Sequence, residues 1–136
     1  MKELTLPATL ENIPAVTAFI DEQLEALDCS MKAQMQIDIA IDELFGNIAH
    51  YAYAPGTGTA TVQADVSEKT KTLTVTFIDS GIPYNPLAKP DPDVTLSAEN
   101  RQIGGLGIYM VKKSMDEVRY RRENGENILT ILKKLQ

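Results

Sequence analysis

The apolar residues of this chain change period partway along it, and that change restricts the fold more than any other feature. Ile37, Ile41, Leu44 and Ile48 recur at i, i+4, i+7 and i+11, the stripe of an amphipathic helix running to about residue 51. Pro55 and Gly56 end it. Ala60, Val62, Ala64 and Val66 then alternate with polar residues, and after a turn at 67–71 Leu73, Val75 and Phe77 alternate again. Period two marks half-buried strands, so this stretch predicts a hairpin. A helix with one apolar stripe and a hairpin with one apolar face bury them against each other, which means a layered fold.

The remaining segments extend that plan. Residues 2–6 predict a short strand. From 11 to 27, Ile13, Val16, Phe19, Ile20, Leu24 and Leu27 keep helical spacing, and Ser30 is placed to cap the next helix. The glycine cluster at 104–107 opens a third helix to about Ser114. Val118 and Tyr120 alternate with Arg119 and Arg121, Asn124 and Gly125 signal a tight hairpin turn, and residues 128–135 close as a strand. The order β-α-α-β-β-lid-α-β-β predicts an α+β fold, a two-layer α/β sandwich with a mostly antiparallel sheet and its helices on one face. The length, 136 residues, is that of one domain, 1–136. Residues 80–103 break every pattern and hold four of the seven prolines within 83–92, so they are expected to form a lid.

Composition narrows the function. Thirteen basic against nineteen acidic side chains give a net charge of −6, which argues against broad attraction to nucleic acid or to an anionic membrane. A single cysteine, Cys29, excludes an intrachain disulfide and a Cys-rich metal site, and fits a reducing compartment. The N-terminus has no apolar leader, so a cytoplasmic location is expected. Residues 44–64 carry no Lys, Arg, Asp or Glu, yet Asn47, His50, Pro55, Gly56 and Gly58 interrupt them, which rejects a membrane span.

Three constellations can carry chemistry. Glu43 and Asn47 stand four apart on the second helix and share a face at the border of the apolar stripe. The Asn carbonyl is a hard oxygen ligand suited to Mg²⁺, and the Glu can take a proton; the same pair also fits a solvated helix edge. Asp79 and Gly81 end the strand at residues 73–79. An ionised carboxylate only accepts hydrogen bonds, so it suits the amino group of adenine and rejects the oxygen of guanine; a plain Asp-x-Gly turn is the other reading. Gly104, Gly105, Leu106 and Gly107 start a helix, where free N–H groups and the helix dipole favour phosphate; a hinge is the alternative.

In this order the three motifs resemble the N, G1 and G2 boxes of the GHKL ATPases, and within them the anti-sigma-factor serine kinases. The run from Gly104 to Gly125 is similar to that branch in length, order and residue type, and the likeness extends from the first strand to Leu135. It implies a Bergerat-type ATP-binding fold using ATP and Mg²⁺. By that resemblance Asn47 holds Mg²⁺, Glu43 is the general base toward a serine, Asp79 with Gly81 beside it reads adenine, and Gly105 and Gly107 carry the triphosphate, flanked by Gly104 and Leu106. Arg101 is a candidate contact to the γ-phosphate. The implied partners are a sigma factor and a small anti-anti-sigma protein, and a homodimer is compatible with the likeness. Tyr51 stands where many members have histidine, with His50 one position earlier, and Asn85 precedes Pro86 where aspartate is frequent.

A rival expectation is a regulatory module of the same fold that binds a protein with or without ATP. The catalytic half of a sensor histidine kinase is disfavoured, because no phosphoacceptor helix pair precedes the motifs. Other residues read as structure: Met31, Met35, Met110 and Met115 as core fillers, Lys112 and Lys113 as solvent-facing, and Arg119, Arg121 and Arg122 as one solvated strand face.

Overall fold

The computed structural model describes residues 1–88 and 106–135. Five strands form one antiparallel sheet in the order β1-β2-β3-β5-β4. They are β1 Lys2–Pro7, β2 Thr59–Ser67, β3 Thr72–Asp79, β4 Glu117–Glu123 and β5 Glu126–Lys134. Three helices accompany them: α1 Ile13–Leu24, α2 Met31–Asn47 and α3 Leu106–Ser114. A π-helical turn, Ile48–Ala52, continues α2. The expected two-layer α+β sandwich is therefore the observed one.

Alternation decides which side of the sheet the helices cover. Val62, Val75, Phe77 and Ile131 are all but inaccessible, as are Val16 and Ile20 of α1 and Ile37, Ile41 and Phe45 of α2. Each such apolar side chain contributes about 1.5–3 kcal/mol by leaving water. The opposite face of the sheet carries threonines, whose hydroxyls pair across strands: Thr5 with Thr61 at 2.9 Å and Thr76 with Thr130 at 3.3 Å. Branched Thr suits a half-exposed pleated surface.

The local signals act as expected. Ser30 Oγ accepts a hydrogen bond from the Ala33 N–H at 3.1 Å and starts α2. Asn124 and Gly125 take φ of 52° and 78°, positive at both centres of the turn, as a type I′ hairpin requires.

Two expectations fail. Only Met115 of the four methionines fills the core; Met31, Met35 and Met110 are 80%, 57% and 50% exposed. On α2 the core-facing stripe runs through Ile37, Ala40, Ile41 and Leu44, which turns positions 31 and 35 outward. The three arginines also do not share one face. Arg119 and Arg121 lie on the open face beside Glu117 and Glu123, whereas Arg122 turns to the helix side and donates to the Gly81 carbonyl at 2.8 Å. A strand reverses faces at every residue, so position 122 cannot join 119 and 121.

Candidate functional site

The end of α2 lies near both the end of β3 and the start of α3. Glu43 and Asn47 share one edge of α2, and the Asn47 amide donates to Glu43 Oε1 at 3.4 Å. That leaves the Asn47 carbonyl oxygen with no hydrogen bond among the described residues. Asp79 ends β3 opposite Asn127 of β5 and is 6% exposed. Its Oδ1 accepts from the Gly81 N–H at 2.9 Å and from Asn127 Nδ2 at 3.0 Å. Asp79 Oδ2 accepts nothing among the described residues. Among the described residues no fully buried side-chain oxygen or nitrogen lacks a partner, so this atom is not sealed within the packed part of the structure they form.

Asp79 lines a cavity of about 40 Å³ together with Leu44, Asn47, Phe77, Tyr84, Pro86 and Asn127, among others. Its walls are mostly apolar, with Asn47, Asp79 and Asn127 among the polar groups that line it. At roughly 10–15 Å³ of such space per water, it holds a few waters and not a nucleotide. Residues 82–86 after β3 cover it, and Pro86 is buried there. Tyr84 packs at a tilt against Tyr51 with ring centroids 6.2 Å apart, and Tyr51 likewise against His50 at 5.8 Å. Burial pushes the Tyr84 phenol above its usual range, with Tyr51 and then Glu43 adding to the rise. Of these three, Tyr84 lines the cavity, and Tyr51 and Glu43 lie near its phenol.

Two glycines allow close approaches, in ways the sequence did not reveal. A Cβ on Gly81 would lie 2.2 Å from the Ala52 carbonyl oxygen; the neighbouring Ile82 N–H donates to that same oxygen at 2.9 Å. The close neighbour is the π-helical turn. A Cβ on Gly107 would lie 2.2 Å from the Glu43 carboxyl. The carboxylate therefore rests on the first turn of α3, where the helix dipole favours an anion. Leu106 begins that helix. Arg101, Gly104, Gly105 and most of the expected lid lie outside the described residues.

Sequence reasoning passed over the groups that hold Asp79 in place. Asn127 is 6% exposed and ties Asp79 to the loop after it. Tyr53 bridges the ends of two strands, donating to Thr59 O at 2.6 Å and accepting from the Ser80 N–H at 2.8 Å. A polar side chain two residues past a hairpin turn is an ordinary feature of a sequence. Only the strand register brings Asn127 against Asp79.

The histidine kinase-like ATPase domain family matches residues 6–133. This chain belongs to that family. Within reach of it, the serine/threonine-protein kinase BtrW of Bordetella bronchiseptica is 26% identical over 102 residues, 75% of this chain and 71% of that protein. A crystal structure of the RsbU and RsbW domains of Rv1364c from Mycobacterium tuberculosis superimposes with a TM-score of 0.65 at 19% identity, over 99% of this chain and 33% of that one. The histidine kinase domain of a blue-light-activated histidine kinase from Erythrobacter litoralis gives a TM-score of 0.53 at 16% identity, over 96% of this chain and 62% of that one. This chain thus spans about a third of the first of these structures. The histidine kinase-like ATPase fold is common to all of them, and the expected Bergerat-type architecture is the one found. Among the described residues no helix is long and apolar enough to cross a membrane, and no group of three His, Cys, Asp or Glu side chains could hold a metal ion.

Proposed function

We propose that this chain is an ATP-binding anti-sigma regulatory factor with serine/threonine protein kinase activity, acting from 1–136 as one domain in the cytoplasm. It sequesters a sigma factor and phosphorylates a small anti-anti-sigma protein. The observation that carries the reading is the open Oδ2 of Asp79, an acceptor on a mostly apolar cavity. An adenine amino group satisfies it and a carbonyl oxygen does not. The similarity to BtrW, a serine/threonine-protein kinase, supports the transfer activity.

The other residues take roles around that contact. The carbonyl oxygen of Asn47, without a hydrogen bond among the described residues, suits Mg²⁺, which takes one or two protein ligands when phosphates supply the rest. When bound, the ion neutralises charge on the phosphates. Backbone N–H groups at Gly104, Gly105, Leu106 and Gly107 carry the triphosphate, and Arg101 reaches the γ-phosphate. Glu43 accepts the proton of a substrate serine as its oxygen bonds to the γ-phosphorus. The bond to the β,γ-bridging oxygen breaks and ADP leaves. Residues 82–86 must swing outward to admit the base, as the start of a lid at about 80–103.

The small cavity favours a second reading, a binding module that holds its protein partner without nucleotide. One experiment separates the two. Calorimetry with Mg·ATP and Mg·GTP, followed by labelled phosphate transfer to the anti-anti-sigma protein, should show ATP binding, no GTP binding and a labelled serine. Glu43→Ala should keep ATP binding and lose transfer. Equal transfer rates in mutant and wild type refute the base assignment, and a wild type that binds no nucleotide leaves only the binding module.

A further inference from the structure

Asn127 is buried beside the proposed adenine contact and has no role in the reading above. An amide offers two N–H donors and an oxygen with two lone pairs. Asn127 uses all four. Its Nδ2 donates to Asp79 Oδ1 at 3.0 Å and to Ile82 O at 2.8 Å. Its Oδ1 accepts from the Tyr84 N–H at 3.3 Å and the Tyr120 hydroxyl at 2.5 Å. Two of these partners are backbone groups whose polarity is fixed, since an N–H only donates and a C=O only accepts. They prevent the amide from turning over, so its NH₂ must face Asp79.

We propose that Asn127 is the positioning residue of this site, holding Asp79 so that Oδ2 alone is offered to a purine amino group. The inference rests on the reading of Asp79 as the base contact. With every hydrogen-bonding capacity filled, Asn127 has none left for a ligand and acts through its neighbour. Its amide, with the Gly81 N–H, occupies Oδ1 and leaves Oδ2 as the acceptor on the cavity. The same side chain joins that carboxylate to the first residues of the cover, through Ile82 and Tyr84. The charged and titratable groups around it are Asp79 on β3, Tyr84 after it, Tyr120 and Arg122 on β4 and, through Tyr84, Glu43 on α2.

Asn127→Asp tests this. It sets a second carboxylate about 3 Å from the first, and two such groups share one proton. At low pH the shared proton lets residue 127 donate to Oδ1 as the amide did. At high pH nothing donates and the two charges repel. The Mg·ATP dissociation constant, divided by that of wild type at the same pH, should rise about ten- to a hundredfold at pH 8 and return to within about threefold at pH 5.5. Taking the ratio removes the titration of the triphosphate itself. An equal deficit at both pH values, or wild-type affinity at pH 8, overturns the proposal. Should the variant fail to fold, Tyr120→Phe removes one hydrogen bond to Asn127 Oδ1. The preference for ATP over ITP, which differs in carrying oxygen for the amino group, should then fall about two- to tenfold, and an unchanged preference overturns the proposal. A wild type that binds no ATP refutes the site reading as a whole. A wild type that prefers ATP, with an equal deficit at both pH values or none at pH 8 in Asn127→Asp, or an unchanged preference in Tyr120→Phe, refutes Asn127 alone.

Discussion

Asp79→Asn changes one atom and should change which base the site accepts. Asp79 Oδ1 receives two donors, the Gly81 N–H at 2.9 Å and Asn127 Nδ2 at 3.0 Å. A new amide turns its own carbonyl toward them, because the reverse orientation sets donor against donor twice. Its NH₂ then stands where Oδ2 stood and faces the cavity. The adenine amino group loses a charge-assisted hydrogen bond, about 1.5–3 kcal/mol, so ATP weakens by about ten- to 150-fold. ITP presents a carbonyl oxygen to the new donor and gains a neutral hydrogen bond of about 0.5–1.5 kcal/mol. The two effects add to about 2–4.5 kcal/mol in the ratio of affinities, roughly thirty- to two-thousandfold. Calorimetric titration of both nucleotides against wild type and variant, with Mg²⁺ at one pH, measures it. An unchanged ATP-to-ITP ratio refutes the reasoning even if both affinities fall, since it means Asp79 only props up the loop.

Gly81→Ala drives a Cβ to 2.2 Å from Ala52 O and 2.6 Å from Ala52 C, both backbone atoms that cannot step aside cheaply. The urea midpoint should drop by the equivalent of about 1–3 kcal/mol or more at unchanged slope, and wild-type stability would refute the packing. The Asp38 carboxyl is pushed above the usual carboxylate range by burial, helped by Asp21 and opposed by the hydrogen bond from Gln34. The folded state then holds that proton more tightly than the unfolded chain, so the contribution of Asp38 to stability falls as pH rises from the unfolded value of about 3.9 through the folded one. Asp38→Asn should therefore gain stability relative to wild type between pH 3.5 and pH 6 in urea unfolding, and a constant difference across that range counts against the assignment.

Much of the fold was legible because its signals are local. The period change between α2 and the β2–β3 hairpin, the cap at Ser30 and the turn at Asn124 and Gly125 each act through neighbouring residues, and each appears where expected. The site was legible only in its motif residues. Asn47 and Asp79 line one cavity, Glu43 stands beside Asn47, and Gly107 of α3 meets Glu43. Their supports were not legible, because Asn127, Tyr53 and Arg122 act on residues 48, 27 and 41 positions away, respectively. Such pairings come from sheet order, which periodicity does not encode. The outward methionines were misread for a related reason: residue type says little about which side of a helix a neighbour will cover.

Strand register links the recognition of the base to the folding of the sheet. Asp79 lies opposite Asn127, so both side chains turn toward the helices and can meet. A slip of one residue between β3 and β5 would turn Asn127 to the threonine face and set Ile128 against a buried carboxylate. That carboxylate would lose its donor, and a buried polar group left unpaired costs about 1–3 kcal/mol, more when charged. The strand pair is held in place from a short distance. The type I′ turn at Asn124 and Gly125 ends two residues before Asn127 and fixes β5 against β4, where Arg122 pairs with Asn127 itself. Tyr120 on β4 then reaches back to the same amide. The dipeptide that closes the last hairpin thus helps determine, through one backbone turn and one amide, which oxygen of Asp79 faces the cavity.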